Sequence, residues 1–328
     1  MIETRPTVTG LAIRRYRGER DLPALHRVWS AAAEANGVEE VRTVEDFRRD
    51  YATLVNCDLP NDLLIAEADG DVVAYSRVFW QDLVGGGRSY ENFGFVHPAW
   101  RRRGIGSVLH RMNEERLRVI ADEHPGVAEK WLASESVDAD AGSVALLRGD
   151  GYGAARFFYE MVARTLERIV PRPMPEGLEL RPVTTDQYRA IWEASAEAFR
   201  DHWGASEWTE TEWAQFEADP HNADPRYWRV GWDGDQVAGA IVTTVPTDEN
   251  ERHGRSRVYV AMVSVRRPWR RRGLARALLA SSLAAARADG FTSASLGVDT
   301  ESPTGATDLY RSLGFRPVRT FTSWRKPL

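Results

Sequence analysis

Residues 263–275 of this 328-residue chain read VSVRRPWRRRGLA, in which a β-branched run leads into a basic loop with one glycine. The Ala/Leu-rich residues 274–288 predict a helix that begins directly after Gly273. Main-chain N–H groups at a helix N-terminus have no partner within the helix and favour an anion. Gly273 and Ala275 leave room for a ligand oxygen beside the main chain, and the neighbouring arginines suit phosphate. The stretch therefore predicts a pyrophosphate-binding loop.

The chain repeats itself once, with an offset of roughly half its length. Five segments recur in the same order, and the distance between matched residues stays close to constant, as small loop insertions would produce. The matched pairs are 11–14 with 178–181, 28–29 with 191–192, 69–74 with 233–238, 101–106 with 270–275, and 151–152 with 314–315. We therefore expect two domains of the same fold, an N-terminal one at 1–170 and a C-terminal one at 176–328. The proline-rich residues 171–175 (PRPMP) predict an extended connector between them.

The second copy has a readable order of strands and helices. Asp233-Gly234 predicts a hairpin turn, because glycine tolerates the positive φ that such a turn needs. The predicted strands are 178–183, 227–232, 236–245, 258–265 and 293–298 with one more at the C-terminus, and the predicted helices are 186–199, 274–288 and 306–313. This order favours an α/β (α+β) domain.

The pattern Arg-x-x-Gly-x-Gly/Ala at residues 270–275, between a strand and an amphipathic helix, resembles the acyl-CoA-binding motif of the GNAT superfamily of N-acetyltransferases. Residues 296–306 and 309–315 resemble a later motif of the same family. The tandem arrangement is similar to that of the mycothiol synthase-like actinobacterial proteins. The resemblance covers most of the second half of the chain. It implies two tandem GNAT domains, each a mixed, mostly antiparallel sheet flanked by helices, with acetyl-CoA as the acyl donor. No metal is expected, because the sequence has no set of metal ligands at usable spacing.

The same resemblance implies which residues bind the donor. In the second copy they are Val263, Val265, Arg270, Arg271, Arg272, Gly273, Leu274, Ala275, Arg276 and Ser302, and in the first copy Val96, Arg101, Arg102, Arg103, Gly104, Ile105 and Gly106. Ser302 departs from the family, which usually has Asn before the following proline. Its shorter side chain puts a contact with the pantetheine arm in doubt.

One position separates the two copies. Tyr310 stands where family members often have the tyrosine proposed to protonate the departing CoA thiolate, and the first copy has Leu147 there. A phenol can supply a proton or a hydrogen bond, and leucine can do neither. We therefore expect the C-terminal domain to be catalytic and the N-terminal one to be catalytically degenerate, either binding CoA without turnover or acting as a structural partner.

The general base is not assigned by the sequence. Family members often supply a carboxylate from the strand before the Arg/Gly loop, but residues 258–265 contain no acid, whereas the first copy has Glu91 on its equivalent strand. Activity of the first copy therefore stays open. The remaining candidates in the second copy are Asp248, Glu249, Glu251, His253, Asp299, Glu301 and His202. In this fold, Trp203, Trp208 and Trp213 either line the acceptor pocket or form part of a helix core.

Composition excludes several classes of partner and site. A net charge of -5 argues against nucleic acid as the partner, and the single Cys57 excludes an intrachain disulfide and a Cys-based zinc site. Residues 1–10 are polar and no run is long enough to cross a membrane, so a cytoplasmic protein is expected. We expect acetyl transfer to a primary amine of a small molecule by direct attack. The alternatives are a non-catalytic CoA-sensing or interaction protein, and a protein or peptide acetyltransferase.

Overall fold

The computed structural model describes residues 8–124, 126 and 129–328. Residues 1–7, part of the polar stretch 1–10 on which the expectation of a cytoplasmic protein rests, lie outside this range. The chain divides into two compact units, of which unit 1 comprises Met1–Arg156 with Phe321–Leu328 and unit 2 comprises Phe157–Thr320. None of the described helices has the length and apolarity that crossing a bilayer requires.

Unit 1 is a mixed sheet with helices on both faces. Its elements are β1 (Ala12–Arg15), α1 (Leu22–Ala35), α2 (Val44–Ala52), α3 (Leu59–Asp62), β2 (Leu63–Ala68), β3 (Asp71–Asp82), β4 (Arg88–Val96), α4 (Ile105–Asp122), β5 (Lys130–Val137) and α5 (Ala141–Gly149). Neighbouring strands from β1 to β5 are antiparallel, except that β4 and β5 are parallel. Side chains alternate between the faces of β3, so Tyr75 packs toward α1 whereas Ala74 packs toward α4.

Unit 2 repeats this order. Its elements are β6 (Gly153–Ala163, shared with unit 1), β7 (Glu179–Arg181), α6 (Tyr188–Phe199), α7 (Glu210–Ala218), β8 (Arg229–Asp233), β9 (Gln236–Thr244), α8 (Thr247–His253), β10 (Arg257–Val265), α9 (Leu274–Ala288), β11 (Ser293–Asp299), α10 (Ala306–Ser312) and β12 (Arg316–Pro327, shared with unit 1). Here β10 and β11 are the parallel pair. The strand pairing within each unit is mixed and mostly antiparallel, which confirms the predicted fold class.

Local sequence explains several of these elements. The predicted hairpin turn joins β8 to β9, with Gly234 at a φ of 55° and Asp233 opposite Gln236. A capping box in which Thr209 and Glu212 bond each other's main chain begins α7, a helix that the sequence did not predict. Helix α9 buries a row of leucines such as Leu278 and Leu283, each contributing about 2 kcal/mol by burial. Gly231 lies beneath the start of this helix, because a Cβ there would come within 2.8 Å of a Leu274 methyl carbon.

In each unit, one strand of the sheet comes from the other half of the sequence. Residues 158–163 of β6 pair with β11, and residues 321–327 of β12 pair with β5. The units therefore differ from the predicted domains 1–170 and 176–328. The physical reason is that a strand edge needs main-chain partners, and each sheet obtains them from a strand distant in sequence. The predicted connector lies within unit 2, where Met174 packs against the main core.

Candidate active site

The Arg/Gly loop of unit 2, residues 266–273, makes a tight turn before α9. A short 3-10 turn over Arg267–Trp269 is followed by two left-handed positions, Arg271 at a φ of 61° and Gly273 at 87°. Left-handed backbone is costly for residues with a Cβ, so glycine suits the second position. Helix α9 begins at Leu274, and its first N–H groups have no partner within the helix. The loop therefore has the geometry of an anion site.

The arginines of this loop do different things. The Arg270 guanidinium points inward, donating from Nε to the Val265 carbonyl oxygen at 2.9 Å and pairing with Asp201. Arg267 pairs with the same carboxylate, and its hydrogen bond, reinforced by Arg270, holds the pKa of Asp201 well below its usual range. Arg271 and Arg272 are exposed. Of the three arginines expected to bind phosphate, Arg270 thus uses its side chain within the protein.

Arg272 and Arg276 are partly engaged elsewhere. One Arg272 Nη atom donates to the Glu176 carbonyl oxygen at 2.7 Å, and Arg276 donates to the Ser312 hydroxyl. The side chain of Arg271 is exposed. Val263 and Val265 lie partly buried against the core beneath α9, and Ala275 lies in its first turn.

The loop of unit 1, residues 97–104, has the same construction. Arg102 and Gly104 are left-handed, with φ values of 62° and 83°, and α4 begins at Ile105 with Gly106 in its first turn. Arg101 donates from Nε to the Val96 carbonyl oxygen at 3.3 Å and from Nη1 to Asn36 at 3.0 Å. The first arginine of each Arg-Arg-Arg run, Arg101 or Arg270, therefore holds the loop to the preceding strand. Its partner in unit 1 is a neutral amide instead of a carboxylate. Arg103 lies over the Trp100 ring at 4.8 Å.

Strands β10 and β11 diverge directly in front of the unit 2 loop. They pair from Arg257 to Val260, opposite Ser293 to Leu296, whereas β10 continues to Val265 and β11 to Asp299. Where this pairing ends, the register of β10 with β9 shifts between Val260 and Met262, so Ala261 forms a bulge. We call the wedge between residues 261–265 and 297–299 the unit 2 cleft. Its sides offer main-chain hydrogen-bonding groups to a ligand.

The corresponding strands of unit 1 also diverge but have no such bulge in their register. Strand β4 pairs with β5 only from Arg88 to Glu91, opposite Lys130 to Ala133. Against β3 it keeps one register from Asp82 opposite Arg88 to Ala74 opposite Val96. The two wedges therefore present different main-chain geometry.

Tyr310 lies on α10, and its ring is 95% buried in the unit 2 core, edge-on to Phe315 with 6.1 Å between ring centroids. Burial raises the pKa of its phenol, so the hydroxyl keeps its proton at neutral pH and can act as a donor. Leu147 on α5 occupies the matching core position in unit 1 and is 97% buried. Both positions are thus buried core positions, and unit 2 has a phenol where unit 1 has an aliphatic side chain.

The turn between β11 and α10 holds two of the sequence-derived candidates. Ser302 bonds the Thr304 hydroxyl at 2.9 Å, and its N–H donates to the Asp299 carbonyl oxygen at 3.2 Å. Asp299 is buried at the end of β11, while Glu301 is exposed. Ser302 therefore takes part in the local turn.

The candidate bases lie in different places. Asp248, Glu249, Glu251 and His253 are on α8, before the start of β10 and therefore at the strand end away from the Arg/Gly loop. His202 follows α6, and burial lowers the pKa of its imidazole although the Asp299 charge opposes this. A neutral imidazole can accept a proton. The charge of Asp299, another of the candidates, therefore acts on the His202 imidazole.

The tryptophans after α6 were expected either to line the acceptor pocket or to form part of a helix core, and they do not all lie in one place. Trp208 and Trp213 pack on Trp192, with centroid distances of 5.4 and 5.6 Å, so they belong to the core around α6. Trp203 instead contacts Phe158 of β6 at 6.3 Å. Phe158 was not a candidate, because its pairing with β11 is not visible in local sequence.

Unit 1 has two carboxylates where its strands diverge. Glu91 accepts a hydrogen bond from the Ser89 hydroxyl, and burial raises the pKa of its carboxyl group. Glu135 lies two residues beyond Ala133, the strand partner of Glu91. It reaches solvent, but the surrounding protein and then the Glu91 charge raise its pKa. The sequence identified Glu91 but not Glu135.

A second cluster that sequence spacing did not predict lies on the other face of unit 1. His110, Glu114 and Asp150 bring ligand atoms within 4.8 Å of one another, a geometry that a metal could use. The Lys326 ammonium, however, already bonds Glu114 at 3.0 Å and Asp150 at 3.1 Å. The lysine therefore supplies the positive charge that these carboxylates need.

Comparison with known proteins identifies the family. The sequence matches the family described as Acetyltransferase (GNAT) family over residues 24–152 and again over 188–315. Mycothiol acetyltransferase of Salinispora tropica is 32% identical over 230 residues, 67% of this chain and 67% of that protein. The same enzyme of Salinispora arenicola is 31% identical over 142 residues, 43% of this chain and 41% of that protein. The crystal structure of a GCN5-related N-acetyltransferase from Sphaerobacter thermophilus is 28% identical, with a TM-score of 0.71, and the match covers 98% of this chain and 97% of that one. The chain therefore belongs to the GNAT family of acetyltransferases and contains two copies of the family's domain.

Proposed function

We propose that unit 2 transfers the acetyl group of acetyl-CoA to a primary amine of a small molecule. The observation that carries the proposal is that the Gly273 turn, the N-terminus of α9 and the unit 2 cleft adjoin within one unit. A diphosphate and its extended pantetheine arm would fit such a loop and wedge. The relatives named mycothiol acetyltransferase support a small-molecule acceptor.

The reaction is a direct displacement. The amine nitrogen attacks the thioester carbonyl carbon, the carbon–sulfur bond breaks, and the products are an amide and CoA. The bulge at Ala261 supports stabilisation of the carbonyl oxygen, because it takes main-chain groups out of the regular ladder next to the cleft. Tyr310 is the proposed donor of a proton or hydrogen bond to the leaving sulfur, for which its protonated state suits it.

The amine must lose a proton to become nucleophilic. His202 is the proposed acceptor of that proton, directly or through water, because its imidazole has a lowered pKa and is under the influence of Asp299. Cys57 lies in unit 1, outside both motifs, and burial raises its thiol pKa. A covalent cysteine intermediate is therefore not part of the proposal.

The test measures CoA release by the purified protein with acetyl-CoA, a panel of small amines and a lysine-containing peptide. We expect turnover with small amines. Replacing the Tyr310 hydroxyl (Tyr310→Phe) should lower kcat about a hundredfold while acetyl-CoA binding stays intact. Tyr188→Phe is the matched control, because Tyr188 is also buried in unit 2 but bonds the Asn222 carbonyl oxygen instead.

Two results would count against the proposal. Wild-type turnover by Tyr310→Phe would remove Tyr310 as the proton donor. Saturable acetyl-CoA binding without CoA release for any amine or peptide would favour the sensing alternative, and release with the peptide alone would favour the protein acetyltransferase.

A further inference from the structure

Strand β6 brings a carboxylate into unit 2 from the N-terminal repeat. Glu160 lies directly opposite Gly297 in the pairing of β6 with β11. Its neighbours Met161 and Ala163 belong to the core beneath α9, and side chains alternate along a strand, so Glu160 and Phe158 face the side of α6. The contact of Phe158 with Trp203 confirms this orientation, because Trp203 follows α6.

Gly297 keeps the space in front of Glu160 open. It is the first residue of β11 beyond the parallel pairing, which ends with Leu296 opposite Val260, and it is exposed. Among the described residues other than Gly297 and its two chain neighbours, no atom lies within 4 Å of the place where its Cβ would be. This space adjoins the bulge at Ala261, where we place the thioester carbonyl.

The charges around this space favour a cation. Glu160 forms an ion pair with Arg319, and the two side chains are 20% and 12% exposed. Asp299 follows Gly297 two residues later and faces the same side, opposite Phe158. Among the described residues, Glu160 and Asp299 thus contribute carboxylates beside Arg319. Burial lowers the pKa of the nearby His202, on which Asp299, Arg270 and Asp201 also act. The ion pair also fixes the orientation of the Glu160 carboxylate.

Unit 1 arranges the matching positions in reverse. In its sheet Ser323 of β12 lies opposite Glu135 of β5, where unit 2 has Glu160 opposite Gly297. The glutamate of unit 1 thus occupies the position that glycine keeps open in unit 2. The open space with a facing carboxylate is a property of unit 2.

We propose that Glu160 binds the ammonium group of the acceptor and positions it at the mouth of the unit 2 cleft. The acceptor class is then a small alkylamine that is cationic at neutral pH. This inference rests on the proposed function and adds a specificity residue to it. The acceptor site of the C-terminal repeat is incomplete without strand β6, which precedes that repeat in the sequence.

The experiment compares two classes of acceptor. Alkylamines are cationic at pH 7, whereas arylamines are neutral, so only the former need a carboxylate. Glu160→Gln should raise the KM for alkylamines at least tenfold and leave the KM for arylamines and for acetyl-CoA unchanged. Glu160→Asp, which keeps the charge, should restore most of the alkylamine preference. Glu167→Gln is the control, because Glu167 is an exposed glutamate shortly after β6.

A second variant tests the open space independently of the Glu160 charge. Gly297→Val fills the open space but leaves the Glu160 carboxylate in the protein. It should raise the KM for both classes of amine. If the wild type turns over amines but Glu160→Gln changes neither KM, or both equally, the role of Glu160 is overturned while acetyl transfer stands. If the wild type releases no CoA with any amine, both proposals fall together.

Discussion

Adjacent arginines in the unit 2 loop differ because the backbone turns between them. Arg270 precedes the left-handed position, and its side chain is directed back to Val265 and Asp201. Arg271 occupies that position at a φ of 61°, and its side chain is exposed. The same division holds for Arg101 and Arg102 in unit 1. The first arginine therefore shapes the loop, and the second is available to a ligand.

Replacing these arginines one at a time should separate the two functions. Arg271→Ala should weaken acetyl-CoA binding roughly tenfold, as loss of one charge-assisted hydrogen bond to phosphate would, with no change in melting temperature. Arg270→Ala should lower the melting temperature, because it leaves the Val265 carbonyl oxygen and Asp201 without this donor. Titration calorimetry and thermal unfolding measure the two effects. If both variants lost acetyl-CoA affinity equally and neither changed the melting temperature, the distinction between a structural Arg270 and a ligand-binding Arg271 would be contradicted.

At the scale of elements, the C-terminal strand completes unit 1 both by its main chain and by its side chains. Residues 321–327 of β12 pair with β5, and Trp324 is 98% buried and donates to the Ser136 hydroxyl at 2.9 Å. Lys326 extends this attachment to α4 and the end of α5 through Glu114 and Asp150. Although burial alone would raise it, the hydrogen bond from Lys326 keeps the pKa of Asp150 below its ordinary value.

Removing the Lys326 charge should destabilise the protein in a pH-dependent way. Lys326→Met should cost about 1–2 kcal/mol at neutral pH, mainly through the buried Glu114, because solvent screens the exposed Asp150 carboxylate. A carboxyl whose pKa is lowered on folding stabilises the fold above its unfolded pKa and loses that contribution as the pH falls. The difference between wild type and Lys326→Met in denaturant unfolding should therefore shrink on acidification below about pH 4.

The control for this prediction is the other lysine. Lys130 donates to the Ala121 main-chain carbonyl, which does not titrate, so any cost of Lys130→Met should not depend on pH in the acid range. A Lys326→Met cost that stays constant down to pH 3 would show that lost packing, and not the charge, is responsible.

What sequence could predict follows from the range of the interactions involved. The Asp-Gly turn and the loop before α9 depend on residues close in sequence, and both are present as predicted. The exchange of β6 and β12 depends on pairs such as Glu160 with Gly297, which are far apart in sequence, and no local pattern encodes it. The sequence consequently gave no reason to consider Glu160 in unit 2. The bulge at Ala261 is equally invisible, because it is a property of paired strands.

At the scale of the whole molecule, the duplication has kept the loop and changed the surroundings of the cleft. Each loop has a left-handed glycine and an arginine, Arg101 or Arg270, that donates to the main-chain carbonyl of the preceding strand. Unit 2 alone combines Tyr310, the Ala261 bulge and the open space at Gly297. Unit 1 has Leu147 and Glu135 in the matching places. We therefore propose that the two units share binding of the donor and that turnover belongs to unit 2.

Matched substitutions in the two loops test this division. Gly273→Glu and Gly104→Glu each place a carboxylate at the proposed phosphate position, and each strains a left-handed residue by about 1–2 kcal/mol. A fold stabilised by roughly 5–15 kcal/mol tolerates that strain. In calorimetric titration with acetyl-CoA we expect two sites in the wild type and one in each variant. Turnover should vanish in Gly273→Glu and survive in Gly104→Glu.

Gly290→Glu provides the control, because Gly290 is also left-handed, at a φ of 92°, but follows the other end of α9. Gly290→Glu should introduce the same backbone strain but leave both acetyl-CoA sites intact. If turnover is lost in Gly104→Glu and kept in Gly273→Glu, catalysis belongs to unit 1, and the carboxylates Glu91 and Glu135 become its first candidates for the base. A different result is a single acetyl-CoA site in the wild type that Gly273→Glu removes and Gly104→Glu does not. It would mean that the unit 1 loop serves folding alone, because a bonded arginine and a left-handed glycine can hold a turn together without any ligand.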